Sequence, residues 1–149
     1  MKKILLTCSI VLIGLQVMAQ ENPVKWTFDS KKTAAGAYEI RLNATVPSPW
    51  HIYSQKTPKG GPIPTKIQFK VNPLVTLSGS VQEEGEVQKV FDKNFEVDVI
   101  YFAGDAKFLQ TVKLKSAVKT RVQGSVEYMV CNDELCLQPV TVPFDILLN

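Results

Sequence analysis

Apolar and polar residues alternate with a period of two along most of the chain, which is the pattern of β-strands with one buried face. Between residues 38 and 46, for example, every second residue is apolar, and the same alternation recurs up to residue 148. After residue 19 no window of a dozen residues has helical periodicity. Eight or nine strands are predicted, within Val24–Asp29, Tyr38–Val46, Lys66–Val71, Leu74–Val81, Val87–Asp92, Phe95–Tyr101, Phe108–Leu114, Val122–Val130 and Val140–Leu148.

Turn-forming residues separate these segments and complete the prediction of the fold. Six of the nine prolines lie between Pro47 and Pro73. Because proline cannot donate to a sheet ladder, we expect that stretch to be an edge or a long loop and not a central strand. This strand spacing predicts one all-β domain, an immunoglobulin-like antiparallel β-sandwich. The predicted turns are Ala35-Gly36, Asn72-Pro73, Asp92-Lys93-Asn94, Gly104-Asp105 and Asn132-Asp133.

The first 19 residues differ in composition from the rest of the chain. Lys2 and Lys3 precede an apolar run from Ile4 to Val17, and Ala19 suits a cleavage position. This pattern predicts a signal peptide at 1–19, an exported, periplasmic domain at 20–149, and cleavage near Ala19. No later segment approaches the roughly 18 apolar residues of a membrane helix, so no stable membrane insertion is expected after signal removal.

The overall charge excludes one class of partner. The chain has 17 basic and 14 acidic residues, a formal net charge of +3. Loss of Lys2 and Lys3 with the signal would bring this charge closer to zero. The basic footprint of a nucleic-acid-binding domain is absent, and no nucleic-acid partner is expected.

Two of the three cysteines remain after the signal, which contains Cys8. Cys131 ends one predicted strand and Cys136 precedes the next, so the pair brackets a four-residue hairpin loop. Opposed residues of antiparallel strands have Cα atoms about 4.5 to 5.5 Å apart, a separation that a disulfide accepts. An exported protein is also in an oxidising compartment. A Cys131–Cys136 disulfide is therefore predicted.

The strands that flank this hairpin cannot keep one register. With the cysteines opposed, the ladder beyond them would place Val126 opposite Thr141, whereas Val142 is the residue that suits the core. We therefore expect a shift of one residue. Gln138-Pro139 is the predicted place for a bulge or strand break, because proline cannot hold a ladder hydrogen bond.

The residues alone leave two roles open for this disulfide. As a structural bond it would close only six residues, worth about 2 kcal/mol in the chain-entropy model. A short loop on an exposed hairpin is also accessible to an attacking thiolate, which favours a redox role. Because Glu127, Asp133 and Glu134 surround the pair in sequence, free thiolates are disfavoured. We expect the pair to react as a disulfide attacked by a partner, or as a dithiol activated within a complex.

The segment 126–144, which contains both cysteines, resembles part of a known family. Its sequence Val-Glu-Tyr-Met-Val-Cys-Asn-Asp-Glu-Leu-Cys-Leu-Gln-Pro-Val-Thr-Val-Pro-Phe resembles the C-terminal half of the periplasmic N-terminal domain of the thiol:disulfide interchange protein DsbD. Pro49-Trp50-His51-Ile52-Tyr53 is similar to the Gly-Tyr-Tyr-Leu-Tyr strand of that domain. The resemblance covers nearly the whole chain after the signal.

This resemblance implies an immunoglobulin-like domain with Cys131 and Cys136 as the catalytic redox pair. The pair would pass reducing equivalents from a membrane-embedded thiol reductase to thioredoxin-like exported proteins, both acting in trans. Cys136 would form the mixed disulfides. The protein would then be a thiol-disulfide oxidoreductase, a component of a protein-disulfide reductase.

The resemblance also implies residues that shape the site. His51 and Tyr53 match aromatic positions near the cysteine pair. Glu83 and Glu84 fall where the family has a cap loop of two acids followed by Phe-Tyr, but the stretch 82–86 has no aromatic residue. The cysteines are also separated by four residues, whereas the best-known family member has five.

Other arrangements of reactive residues have less support. His51 is the only histidine, so a Ser-His-Asp or Cys-His catalytic group would have to include it. A Cu(I) site made of His51, Met129 and the two cysteines would need ligands from distant segments. We expect no metal and no cofactor. The alternative function is a non-enzymatic exported β-sandwich interaction module with a structural disulfide.

Overall fold

The computed structural model describes residues 22–93 and 95–148. The predicted signal peptide at 1–19, including Cys8, lies outside the described residues. No helix in the described ranges has the length and apolar character needed to cross a bilayer. The described residues form nine strands: β1 (Lys25–Ala34), β2 (Ala37–Thr45), β3 (His51–Tyr53), β4 (Lys66–Phe69), β5 (Val75–Asp92), β6 (Val97–Leu114), β7 (Thr120–Tyr128), β8 (Val130–Cys131) and β9 (Val140–Leu148).

The strands form two antiparallel sheets, and the predicted immunoglobulin-like sandwich is confirmed. Sheet A has the order β1-β2-β6-β3-β8, with β5 also paired to β6, and sheet B has the order β4-β7-β9. The long strand β6 is central in sheet A because it pairs with β2, β3 and β5. Its segment 106–113 pairs with β2, its residues 101 and 102 pair with β3, and β5 pairs along its other edge.

The main hydrophobic core lies between the two sheets. In β2 every second residue from Tyr38 to Ala44 is buried, as the period-two pattern predicts. Trp26 packs its ring against Phe108 and Tyr128 and thereby joins the first strand to both sheets. The most deeply buried large side chains, each at most 1% exposed, include Ile40, Leu42, Ile52, Phe102, Phe108, Val126 and Tyr128.

Strands β5 and β6 are longer than predicted. The predicted turn at Gly104-Asp105 is wrong, because these residues lie inside the continuous strand β6. The expected break between 81 and 87 is also absent, since β5 continues through two register shifts, one of them at Gly85. A Cβ atom at Gly85 would lie 2.8 Å from the backbone oxygen of Asp105. The glycine marks a bulge, at which the strand bends without ending.

The proline-rich stretch 47–73 contains a short central strand, contrary to the prediction. Strand β3 pairs with β6 on one edge and with β8 on the other. Its three residues include no proline, so its ladder donors are intact. The remainder of the stretch agrees with the prediction, since β4 is an edge strand and the rest is loop. As a result, β3 brings His51 and Tyr53 beside the strand that carries Cys131.

Candidate functional site

A disulfide between Cys131 and Cys136 closes a tight hairpin at the end of β8. The two Cα atoms are 4.0 Å apart, and the residues form an antiparallel bridge. Within the loop, the Asn132 Oδ1 atom accepts hydrogen bonds from the backbone N–H groups of Glu134 (2.9 Å) and Leu135 (2.8 Å). The loop that holds the disulfide is therefore ordered by its own hydrogen bonds.

The predicted register shift beyond the disulfide is confirmed. Tyr128 pairs with Val140 and Val126 pairs with Val142, one residue out of step with the Cys131–Cys136 bridge. The ladder is interrupted over 137–139. At Met129 the chain leaves sheet B and enters sheet A, and this crossover places the cysteine hairpin next to β3.

The two cysteines differ sharply in exposure. Cys131 is 1% exposed, whereas Cys136 is exposed to solvent. Cys131 packs with Tyr53 and Val99 in a small cluster separate from the main core. Both cysteines line the same cleft, but Cys136 is the one that a partner approaching from solvent would meet first.

The side chains of His51, Tyr53 and Tyr101 lie beside the buried cysteine. His51 is directly opposite Cys131 in the β3–β8 ladder, and Tyr53 is opposite Tyr101 in the β3–β6 ladder. The His51 Nε2 atom is 3.2 Å from the Tyr53 hydroxyl oxygen, and the His51 ring centroid is 4.4 Å from that of Tyr101. The structure thus brings together four of the residues singled out from the sequence: both cysteines, His51 and Tyr53.

The other two predicted site-shaping residues, Glu83 and Glu84, lie elsewhere. Both are within β5, opposite Phe108 and Lys107 of β6. The Glu83 carboxylate accepts hydrogen bonds from the Ser54 hydroxyl (2.6 Å) and the Gln55 backbone N–H (2.7 Å). Glu83 therefore links the end of β3 to β5 and does not line the disulfide cleft.

The end of the β5–β6 hairpin occupies the position next to the disulfide. With the cysteine loop it bounds a cleft of about 870 Å³ that is lined by both cysteines. Several apolar side chains on the rim are exposed, most of all Phe91 at 61%. Such a patch beside a reactive group is typical of a surface that contacts another protein. The other exposed apolar side chains of the rim are Val90, Phe95 and Leu135.

This apolar rim was not predicted from the sequence, although two phenylalanines in the sequence indicate it. Phe91 and Phe95 flank the predicted turn Asp92-Lys93-Asn94, where strand β5 ends at Asp92 and Lys93 lies in a turn. Phenylalanines on both sides of a polar turn indicate a hairpin end with an apolar surface.

The electrostatics of the cleft are dominated by acids. Burial lowers the pKa of His51, against the opposing influence of Asp133 and Asp92. Burial raises the pKa of Tyr53 to about 12, with further contributions from Asp92 and Tyr101. Both side chains are therefore uncharged near neutral pH, while Asp92, Asp133 and Glu134 line the cleft.

No group of three or more His, Cys, Asp or Glu side chains within residues 22–93 and 95–148 is arranged to hold a metal ion. Glu127, expected near the cysteines from its position in sequence, lies opposite Lys66 in sheet B and outside the lining of the cleft.

The fold and the site define a class: an immunoglobulin-like domain that carries an accessible disulfide on a hairpin. A family model described as "Thiol:disulfide interchange protein DsbD, N-terminal" matches residues 16–147. The chain belongs to this family. Among curated proteins no sequence matches the chain.

Several solved structures have the same fold as this chain. The reduced DsbD N-terminal domain of Neisseria meningitidis is 16% identical, with 83% of this chain and 86% of that chain covered and a TM-score of 0.53. The N-terminal periplasmic domain of ScsB from Proteus mirabilis is 16% identical, with 84% and 44% covered and a TM-score of 0.53. A complex between the DsbD and PilB N-terminal domains of Neisseria meningitidis gives 14% identity, 87% coverage of each chain and a TM-score of 0.54.

Proposed function

We propose that this protein is a thiol:disulfide interchange domain that relays reducing equivalents through Cys131 and Cys136. The observation that carries the proposal is the asymmetry of the disulfide, in which an exposed Cys136 is bonded to a buried Cys131 and both residues line one cleft. Membership of the DsbD N-terminal family supports the same chemistry.

The exchange proceeds in two displacements, the first at the Cys136 sulfur and the second at the partner sulfur bonded to it. A partner thiolate forms a bond to Cys136 Sγ, the Cys131–Cys136 bond breaks, and its electron pair goes to Cys131 Sγ, which takes up a proton. The second thiol of the partner, as thiolate, then attacks the partner sulfur in the mixed disulfide and releases Cys136. The partner becomes oxidised, and this domain gains two electrons and two protons. The reverse sequence passes the electrons onward.

The partners are a membrane-embedded thiol reductase and thioredoxin-like exported proteins, and the location is the periplasm. The relatives support this assignment, because the ScsB domain is described as periplasmic and a DsbD N-terminal domain has been solved in complex with a PilB domain. The exposed apolar rim around Cys136 supports contact with another protein.

Single-cysteine variants test the proposal. In Cys131→Ala the exposed Cys136, activated as its mixed disulfide with 5-thio-2-nitrobenzoate, should trap a thioredoxin-like protein whose resolving cysteine is replaced by serine. In the matched variant Cys136→Ala the buried Cys131 should trap at least about tenfold less. Cooperative unfolding of both variants serves as the control.

Two results would contradict the proposal. Equal trapping by both variants would show that the observed burial does not control access. Absence of trapping, together with a wild-type disulfide whose reduction potential lies below about −300 mV, would favour the alternative of an interaction module with a structural bond.

A further inference from the structure

The buried Cys131 must react as a thiolate in surroundings that disfavour a thiolate, whereas Cys136 is exposed. To pass electrons on, the reduced protein must resolve a mixed disulfide on Cys136 by attack of Cys131. Only a thiolate attacks efficiently, and burial in apolar surroundings raises a thiol pKa. Cys131 is 1% exposed and packs against Tyr53 and Val99. A proton acceptor next to this sulfur would remove the difficulty.

His51 is in the position that such an acceptor needs. It is directly opposite Cys131 in the β3–β8 ladder, so the two side chains are on the same face of the sheet. Side chains opposed in this way have Cβ atoms about 4.5 to 5.5 Å apart, within reach of an imidazole and a sulfur. His51 also lines the same cleft as both cysteines.

We propose that His51 is the base that accepts the Cys131 proton when this sulfur attacks the mixed disulfide on Cys136. The inference rests on the proposed function. In this step Cys131 Sγ bonds to Cys136 Sγ, the Cys136–partner bond breaks, and the partner leaves with the electron pair as a thiolate. The proton moves from Cys131 Sγ to the His51 ring and then to solvent.

The surroundings of His51 suit this task. Burial favours the neutral imidazole, which is the form that can accept a proton. In the tautomer that donates its Nε2–H to the Tyr53 hydroxyl, 3.2 Å away, Nδ1 has a free lone pair. Once formed, the imidazolium would be stabilised by Asp133 and Asp92, which both raise the pKa of His51.

The other polar groups around the ring do not compete for this role. Tyr53 has a pKa of about 12 and stays protonated at neutral pH. Tyr101 contributes a ring that is tilted against that of His51. The exposed side chains of Lys93 and Glu134 line the same cleft.

The experiment follows the reaction of the reduced full chain with 5,5′-dithiobis(2-nitrobenzoate) by stopped flow. A bimolecular phase reports attack by Cys136, and a following first-order phase reports resolution by Cys131. In His51→Gln the second phase at pH 7 should slow by about 100-fold, the lower end of the range for general base catalysis. The first phase should change by less than about twofold.

The pH profile separates a proton acceptor from a residue that only packs. In the wild type, the second phase should rise through a pKa below 6.5 and then level off, as expected for a histidine whose pKa is lowered. In His51→Gln it should keep rising up to about pH 9, the range in which a free thiol ionises. His51→Tyr, which keeps an aromatic ring but has no imidazole base, should behave like His51→Gln.

The outcomes are distinguishable. A second phase with the wild-type rate and pH profile in both His51 variants would overturn the role of His51 and leave the relay function standing. A wild-type protein without either phase would overturn both the relay function and this inference. Slow resolution in His51→Tyr with an unchanged first phase would support the inference even if His51→Gln did not fold.

Discussion

Replacing both Cys131 and Cys136 by alanine is expected to lower the free energy of unfolding by only about 2 to 3 kcal/mol. The bond joins residues five apart in sequence. Closing so short a loop restricts the unfolded chain by about 2 kcal/mol at 25 °C in the chain-entropy model. Loss of the buried Cys131 sulfur adds up to about 1 kcal/mol of lost apolar burial.

The location of the disulfide explains why the fold should survive this change. Cys131 belongs to a small cluster with Tyr53 and Val99, whereas the main core between the sheets contains neither cysteine. The loop also keeps the hydrogen bonds of Asn132 and the bond from the Leu137 N–H to the Val130 oxygen. The hairpin therefore has stabilising interactions of its own.

Urea unfolding, followed by fluorescence, measures the effect. The midpoint should fall while the dependence of free energy on urea concentration changes little, because both proteins expose a similar surface on unfolding. The wild type kept reduced by a small dithiol is the control, and it should lose about 2 kcal/mol without any change of side chain.

A loss of more than about 4 kcal/mol, or the disappearance of the cooperative transition, would refute this reasoning. The disulfide would then be a structural bond on which the sandwich depends. That result would favour the alternative of an exported interaction module.

Three further predictions concern packing, reactivity and pH. Gly124→Ala should destabilise the protein by about 2 to 3 kcal/mol in urea unfolding, because the added Cβ would lie 2.2 Å from a backbone oxygen of the neighbouring strand, whereas exposed Gln123→Ala should cost far less. In Cys131→Ala the free Cys136 should react with iodoacetamide with a midpoint at or above about pH 8.5, since acids dominate the cleft, and a midpoint below 7 would disprove this. Because burial lowers the pKa of His51 from 6.5, the unfolded chain binds that proton more readily, so stability should fall as the pH drops below 6.5 towards the lowered pKa. In His51→Gln the free energy of unfolding should fall less than in the wild type between pH 7.5 and 5. An identical fall in both proteins would contradict the lowered pKa of His51.

Local patterns in the sequence were sufficient to predict the strand content and the cysteine hairpin. Each half-buried strand has its own alternation, as in β2, because one face of the strand lies on the core. The hairpin at Cys131 and Cys136 could be predicted with its register shift because it depends on residues close in sequence and on the inability of Pro139 to donate.

Pairings between distant segments decided the rest, and local patterns do not contain them. Strand β3 is central because β6 and β8 both pair with it, although prolines surround it in sequence. Strands β5 and β6 continue through glycines that are typical of turns. They do so because each strand provides the other with ladder partners on both sides of the bulges.

The residues of the site differ in the same way, since some were predictable from local sequence and others depend on pairings between distant segments. The cysteine pair was evident from its spacing, and His51 and Tyr53 were identified through a resemblance. Only the tertiary structure places His51 opposite Cys131 and brings the apolar rim at Phe91 to the disulfide. Which side chain meets a given sulfur depends on the register between strands far apart in the chain, and that register is set by how both sheets bury their apolar faces together.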